Sequence, residues 1–147
     1  MKKKMIYFLI PMFAIALTIV IVVASNPLRK SEERIRSDML LLTPVGTCME
    51  DVIAVIENND TWVREWVDHE YGYAVLHGRP MRYGLYGYED GRRVNPDYKV
   101  VGEKSIFVTI GQYKQAVFFH TFVIVFYGFD ENSELIDIAV LKEVDSF

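Results

Sequence analysis

Twenty consecutive positions without a charge, Met5 to Ala24 (MIYFLIPMFAIALTIVIVVA), constrain this chain more than any other feature. A bilayer core about 30 Å thick takes about 20 apolar residues at a helical rise of 1.5 Å, so the run has the length of one span. Pro11 falls near its start, where a proline disturbs a helix least. Lys2, Lys3 and Lys4 precede it, as in a secretory signal, yet the run exceeds the roughly 7–15 residues of a cleaved apolar region. The expectation is a membrane anchor at residues 1–24. A cleaved signal ending at Val22-Val23-Ala24 is the alternative, and a buried soluble helix is the third reading. Basic residues are nearly balanced across the run, with Arg29, Lys30, Arg34 and Arg36 on its far side. The order of lysines, apolar run and polar domain places the N-terminus in the cytoplasm and the rest outside a bacterial cell membrane.

Beyond Ala24 remain 123 residues, enough for one domain with its own core. They hold all 20 acidic residues and 13 of the 16 basic ones, a net charge of −7. Such a balance argues against nucleic acid, whose phosphates reward clustered Lys and Arg. Residues 25–36 read as a stalk and the start of a first helix, its four basic residues either meeting lipid headgroups or keeping the stalk solvated. The single cysteine, Cys48, makes no intramolecular disulfide, and it stands too far from the apolar run for a lipoprotein anchor.

Local pattern then organises residues 37–147. Ser31 to Leu42 predicts a helix, with Ser31 as cap, Glu32 and Glu33 in the first turn, and Ile35, Met39 and Leu42 on one face. Thr47-Cys48-Met49-Glu50 reads as a capping box opening a helix over 47–58, with Met49, Val52, Ile53 and Ile56 as its apolar stripe. Thr61 to Val67 favours strand. Tyr71 to Tyr98 lacks a sustained period and reads as a long loop with a short strand near Tyr73 to Leu76. Strands follow at Ser105 to Ile110, closed by Gly111, at Gln115 to Tyr127, and at Leu135 to Val144 with Ile136, Ile138 and Val140 on one side. The last two form an antiparallel hairpin. The expected fold is α+β: after the transmembrane helix, two helices packed on a three- to four-stranded antiparallel sheet, in two layers.

That order, with Thr43-Pro44-Val45-Gly46-Thr47 before a helix carrying Val52, resembles the BamE-like (SmpA/OmlA) outer-membrane assembly lipoproteins and is similar to the repeated unit of β-lactamase-inhibitor proteins. The chain also looks like small Gram-positive membrane-anchored proteins ending in a Gly-Phe-Asp-Glu-Asn-x-x-Leu-Ile-Asp-Ile hairpin, here Gly128 to Ile138. The resemblance covers residues 37–147. It implies a domain that binds other proteins and does no chemistry, and the chain departs from the lipoproteins in lacking a lipobox cysteine.

Residue types agree with that implication. His69, His77 and His120 make no HExxH, and Asp68-His69-Glu70 would alternate in direction on a strand, so no metal or cofactor is expected. Cys48 in the first turn of its helix would have its thiol pKa lowered, but no histidine base is placed beside it, and the plain reading is a buried structural cysteine. Gly84, Gly87 and Gly91 are loop glycines rather than a phosphate cradle.

Binding has better candidates. Loop 77–93 gathers Arg79, Arg82, Arg92 and Arg93 with Tyr83, Tyr86 and Tyr88, the residue types of interface hot spots, although a solvated loop packing its tyrosines on the sheet is the plainer reading of the sequence. Strand 115–127 is apolar on both faces, so its second face needs cover from the long loop or from a partner, the loop being expected. The function expected is a membrane-tethered extracytoplasmic protein-interaction module without catalytic residues. An inhibitor-like domain occluding a hydrolase with loop 77–93 is the alternative, an enzyme is the third class, and a homo-oligomer is left open.

Overall fold

The computed structural model describes residues 26–81, 98–115 and 119–145 together with Met12 and Thr18, and the backbone of Tyr88, Glu89, Arg92 and Arg93. The chain divides into two compact units, residues 1–30 and 31–147. In the first, Met12 and Thr18 are helical, and Pro27–Arg29 form a 3₁₀ turn whose cap, Asn26 Oδ1, accepts from the Leu28 amide at 2.9 Å. The rest of the expected anchor lies outside the described residues. Among the described residues no helix is long and apolar enough to cross a membrane.

The second unit starts on its predicted cap. Ser31 Oγ accepts from the Arg34 amide, and α1 runs Glu32–Leu42 with Glu32 and Glu33 in its first turn. Ile35 and Met39 are buried as expected, but Leu42 is 54% exposed. Its expected place is taken by Thr43, buried with Oγ1 donating to the Met39 carbonyl at 3.0 Å, because the buried line follows the i, i+4 spacing of 35, 39 and 43.

A second helix, α2, runs Met49–Glu57 and buries Met49, Val52 and Ile56 of the expected stripe, while Ile53 is half-buried. The capping box is not there. Cys48 is the cap residue and makes no side-chain cap, while Thr47 Oγ1 donates to the Pro44 carbonyl at 2.6 Å. The helix finds a backbone partner instead: the Met49 amide donates to the Ser133 carbonyl at 2.9 Å, and Leu135 donates to the Thr47 carbonyl at 2.8 Å. A neighbouring chain segment thus satisfies one orphan donor of the helix end, and the Thr47 amide donates to the Pro44 carbonyl at 3.0 Å.

Nine strands follow among the described residues: β1 Val63–Asp68, β2 Tyr73–Leu76, β3 Arg79–Met81, β4 Tyr88–Glu89, β5 Arg92–Arg93, β6 Lys99–Val101, β7 Lys104–Lys114, β8 His120–Phe129 and β9 Leu135–Val144. β1-β7-β8-β9 form one antiparallel sheet, so the domain is α+β with two helices and a four-stranded sheet. β7 runs past Gly111, because a register shift between Thr109 and Gly111 takes that glycine into a bulge. β8 begins at His120 rather than Gln115. The Gln115 amide bonds to the Phe119 carbonyl at 2.9 Å and closes the hairpin, while residues 116–118 lie outside the described residues. The β8–β9 turn is built on Asp130, whose Oδ1 accepts from the Glu134 amide at 2.8 Å, with Ser133 at φ 67°. A shift at Gly128/Phe129 then turns Ile136 out of the face that holds Ile138 and Val140, leaving it 43% exposed.

One sheet face carries Ile106, Val108, Val125, Tyr127, Ile138 and Val140 in paired register, all buried. The helices cover it, α1 toward β9 and α2 toward β1. Tyr127 Oη lies 3.8 Å from Met39 Sδ. Burial pushes the Tyr127 hydroxyl up to about 12 against a modest opposing hydrogen bond from Thr43. Its unfolded counterpart ionises near 10, so this contribution is whole below pH 10 and is lost as pH rises toward 12. About 3 kcal/mol of stability should vanish over that window. Urea midpoints measured either side of pH 10 should fall steeply, and Tyr127→Phe should flatten the fall.

The opposite face is not left to a loop. β3-β2-β6 form a second small sheet over it, joined by a His77-Gly78 turn with φ of 49° and 78°, the backbone of a two-residue hairpin. Tyr73, Phe107 and Phe126 make the core between the sheets, with Val75, Val101, Ile124, Ala139 and Leu141 packed around them. The rings of Phe107 and Phe126 meet at 4.7 Å, tilted by 59°. The domain therefore has three layers where two were expected, and the segment expected to be a loop supplies the third. The cover came from within the chain, as anticipated, but as a sheet.

Candidate functional site

The predicted basic and aromatic loop is only partly described. Arg79 is exposed at the start of β3, paired with Leu76 across the His77-Gly78 turn. Tyr88 pairs with Arg93 and Glu89 with Arg92 in the two-stranded β4–β5 ladder. Arg82, Tyr83 and Tyr86 lie outside the described residues, as do the side chains of Tyr88, Arg92 and Arg93. Of the histidines, His69 and His77 are exposed and His120 is half-buried. Among the described residues no group of three His, Cys, Asp or Glu side chains could hold a metal ion.

Cys48 differs from expectation in two respects. It is half-buried rather than buried, and its thiol is raised, not lowered. A hydrogen bond from the thiol to Asp51 is the largest cause, and the charges of Asp51 and Glu50 add to it. Two acidic residues in the first turn outweigh the positive end of a nine-residue helix.

A concave surface appears elsewhere. Glu70, Tyr71, Gly72, Val100, Gly102, Glu103, Asp130 and Ile136 line an open cleft of about 480 Å³. Three turns build it, and each is fixed by hydrogen bonds. After β1, Asp68 Oδ1 accepts from the amides of Glu70 and Tyr71 at 3.0 and 2.9 Å, and the Tyr71 carbonyl accepts from Ser105 Oγ at 2.8 Å. Between β6 and β7, Gly102 takes φ +81°, and the Glu103 amide donates to the Phe129 carbonyl at 2.7 Å. Beyond β8, the Asp130 turn is tied to β7 through Lys104 Nζ, 2.7 Å from Ser133 Oγ and 3.0 Å from the Glu131 carbonyl.

The lining combines three carboxylates, Glu70, Glu103 and Asp130, with Tyr71 and Ile136, which are 48% and 43% exposed. No histidine, cysteine, serine or lysine is among the lining residues. What the cleft offers is hydrogen-bond acceptors and negative charge beside apolar surface. These residues escaped the reading of the sequence because they come from three turns far apart in the chain. The only local signs are the acidic residues beside Gly72 and Gly102.

No family model, curated protein or solved structure matches this chain. The likeness to BamE-like lipoproteins thus rests on the turn and core residues that suggested it.

Proposed function

We propose that the chain is a membrane-tethered, extracytoplasmic protein-interaction module without catalysis, anchored by residues 5–24, that uses the acidic and apolar cleft to hold a basic segment of a protein partner. The observation that carries the reading is the cleft itself: three carboxylates and two exposed side chains, Tyr71 and Ile136, on turns already locked by hydrogen bonds from backbone amides to the Asp68 and Asp130 carboxylates. A preformed surface loses little freedom on binding, and one sign of charge selects the opposite sign in its partner. The tether adds effective concentration at the membrane without any new contact. The arginines and tyrosines of loop 77–93 are a second contact surface in this reading.

The inhibitor alternative draws on a different observation, the tight His77-Gly78 turn that leads into the exposed Arg79. A projecting hairpin of that kind suits occlusion of an envelope hydrolase. Hydrolase inhibition lost on Arg79→Ala would favour it over the plain module.

The test of the module is crosslinking of the full-length protein in its native membranes, with protease accessibility read on intact cells. The partner recovered with wild type should fall about tenfold with the Glu70→Gln, Glu103→Gln, Asp130→Asn triple variant, whose side chains keep their shape and lose their charge. Undiminished recovery with the triple variant would rule out the cleft, and a domain protected inside the cell would rule out the extracytoplasmic reading.

A further inference from the structure

β9 closes one side of the four-stranded sheet, and a ten-residue edge strand is a template on which another strand can pair. Three of its backbone groups are met by side chains. The Ile138 carbonyl accepts from Arg36 Nε at 2.6 Å, and the Lys142 amide donates to Glu32 Oε1 at 2.9 Å. The Ile138 amide donates to Asp137 Oδ1 at 2.8 Å, the same oxygen that accepts from Arg36 Nη2 at 2.6 Å. Glu32 and Arg36 stand one turn apart on α1, where the backbone of a fifth strand would otherwise run. The Arg36–Asp137 pair is 44% and 39% exposed, so salt weakens it.

The groups these side chains occupy are complementary to one another. A two-fold axis through Val140, perpendicular to the sheet, sets Ile138 opposite Lys142 of a second copy. In that register the Lys142 amide of each copy donates to the Ile138 carbonyl of the other. Paired positions differ by an even number of residues, so each buried face stays on its own side. Asp137 meets Glu143 across the same axis, a like-charge pair that holds the two copies apart at low salt.

We infer that α1 guards the β9 edge, and that a second copy of this chain pairs there, β9 to β9, when Glu32 and Arg36 withdraw. This goes beyond the cleft and does not depend on it. The other edge is handled differently: β1 carries a bulge between Arg64 and Trp66 and an Arg64–Glu57 ion pair at 2.7 Å, features that spoil strand addition.

The experiment uses the full chain in nonionic detergent, with micelles in excess over protein. Amide exchange is followed at about 0.05 M and about 1 M salt, and energy transfer is followed between copies labelled at their N-termini. In dilute wild type, the Ile138 and Lys142 amides should exchange about tenfold faster at high salt while Val125, in the central strand β8, does not change. At high salt, energy transfer should appear in wild type at high protein concentration and in Glu32→Ala/Arg36→Ala at lower concentration, the Asp137–Glu143 repulsion opposing it in both at low salt. Exchange at Lys142 that follows Val125 at both salts would overturn the inference. So would a folded double variant that shows no energy transfer at any concentration. Should the double variant not fold, the wild-type series decides alone, and absence of transfer at high salt overturns the proposal.

Discussion

Gly102→Ala should lower the unfolding free energy of the domain by about 4 kcal/mol, more than a surface turn substitution ordinarily costs. Two separate penalties combine. Gly102 has φ +81°, where a side chain strains the backbone by about 1–2 kcal/mol. Its Cβ would also fall 2.5 Å from the Phe129 carbonyl oxygen and 2.8 Å from the Phe129 amide nitrogen, both backbone atoms of β8 that have no rotamer to change. Relief requires moving the β6–β7 turn off the sheet, which breaks the Glu103-to-Phe129 hydrogen bond and opens one wall of the cleft. Urea unfolding followed by the fluorescence of Trp62 and Trp66 measures the change. A loss below about 1 kcal/mol would mean that the turn relaxes freely and that the cleft is not held as described. Gly78→Ala is the useful comparison, since φ is +78° there with no atom within 4 Å, so only the strain should register.

Tyr73→Ala is the second large effect, again about 4 kcal/mol, for a different reason. The ring is 1% exposed between the two sheets, with its centroid 5.9 Å from that of Phe126. Truncation leaves a cavity lined by Phe107 and Phe126, and these have no other partner from the small sheet as large as Tyr73. The hydroxyl does separate work: it donates to Asp137 Oδ2 at 3.0 Å, while Arg36 holds Oδ1 of the same carboxylate. Asp137 thereby links α1, the main sheet and the small sheet. Burial, followed by the Asp137 charge, holds the Tyr73 hydroxyl well above its ordinary value, so it stays a donor at any physiological pH. Tyr73→Phe removes that bond alone and should cost about 1 kcal/mol. Amide exchange in β2, β3 and β6 distinguishes the two: Tyr73→Ala should release all three strands together, and Tyr73→Phe should leave them protected. Equal effects of both substitutions would show that the bond to Asp137, not the ring, holds the third layer.

The parts of the fold that were legible share one property: their partners lie within a turn or a hairpin of one another. The stripe of Met49, Val52 and Ile56 gave α2, Ser31 gave the start of α1, and the run from Gln115 to Val144 gave the last hairpin, though its first strand starts only at His120. The parts misread were those in which another group displaced the expected one. Thr47 and Glu50 have the spacing of a capping box, yet Thr47 bonds back to the Pro44 carbonyl and Cys48 takes the cap position. Ile136 alternates properly with Ile138, yet a bulge opposite Gly128 and Phe129 reverses it. Of the second sheet only β2 was legible, as the short strand near Tyr73 to Leu76; β3 and β6 are three residues long, too short for a period to show, and β6 lies more than twenty residues beyond its partner β2.

The candidate site divides along the same line. Arg79 and the tyrosines of loop 77–93 were found by composition, which reports what residues are present and nothing about what faces them. Glu70, Glu103 and Asp130 were not found, because no window of sequence contains all three. By itself the sequence determined the apolar run at residues 5–24, the acidity of the rest, the two amphipathic helices and the antiparallel C-terminal hairpin, since each follows from periodicity or charge within a short segment. Only the tertiary structure decided the third layer, the link from Arg36 to Asp137 across 101 positions, the guarded β9 edge and the cleft. Those depend on which turns meet in space, and the close approach of backbones at Gly102 and Gly128 sets that meeting.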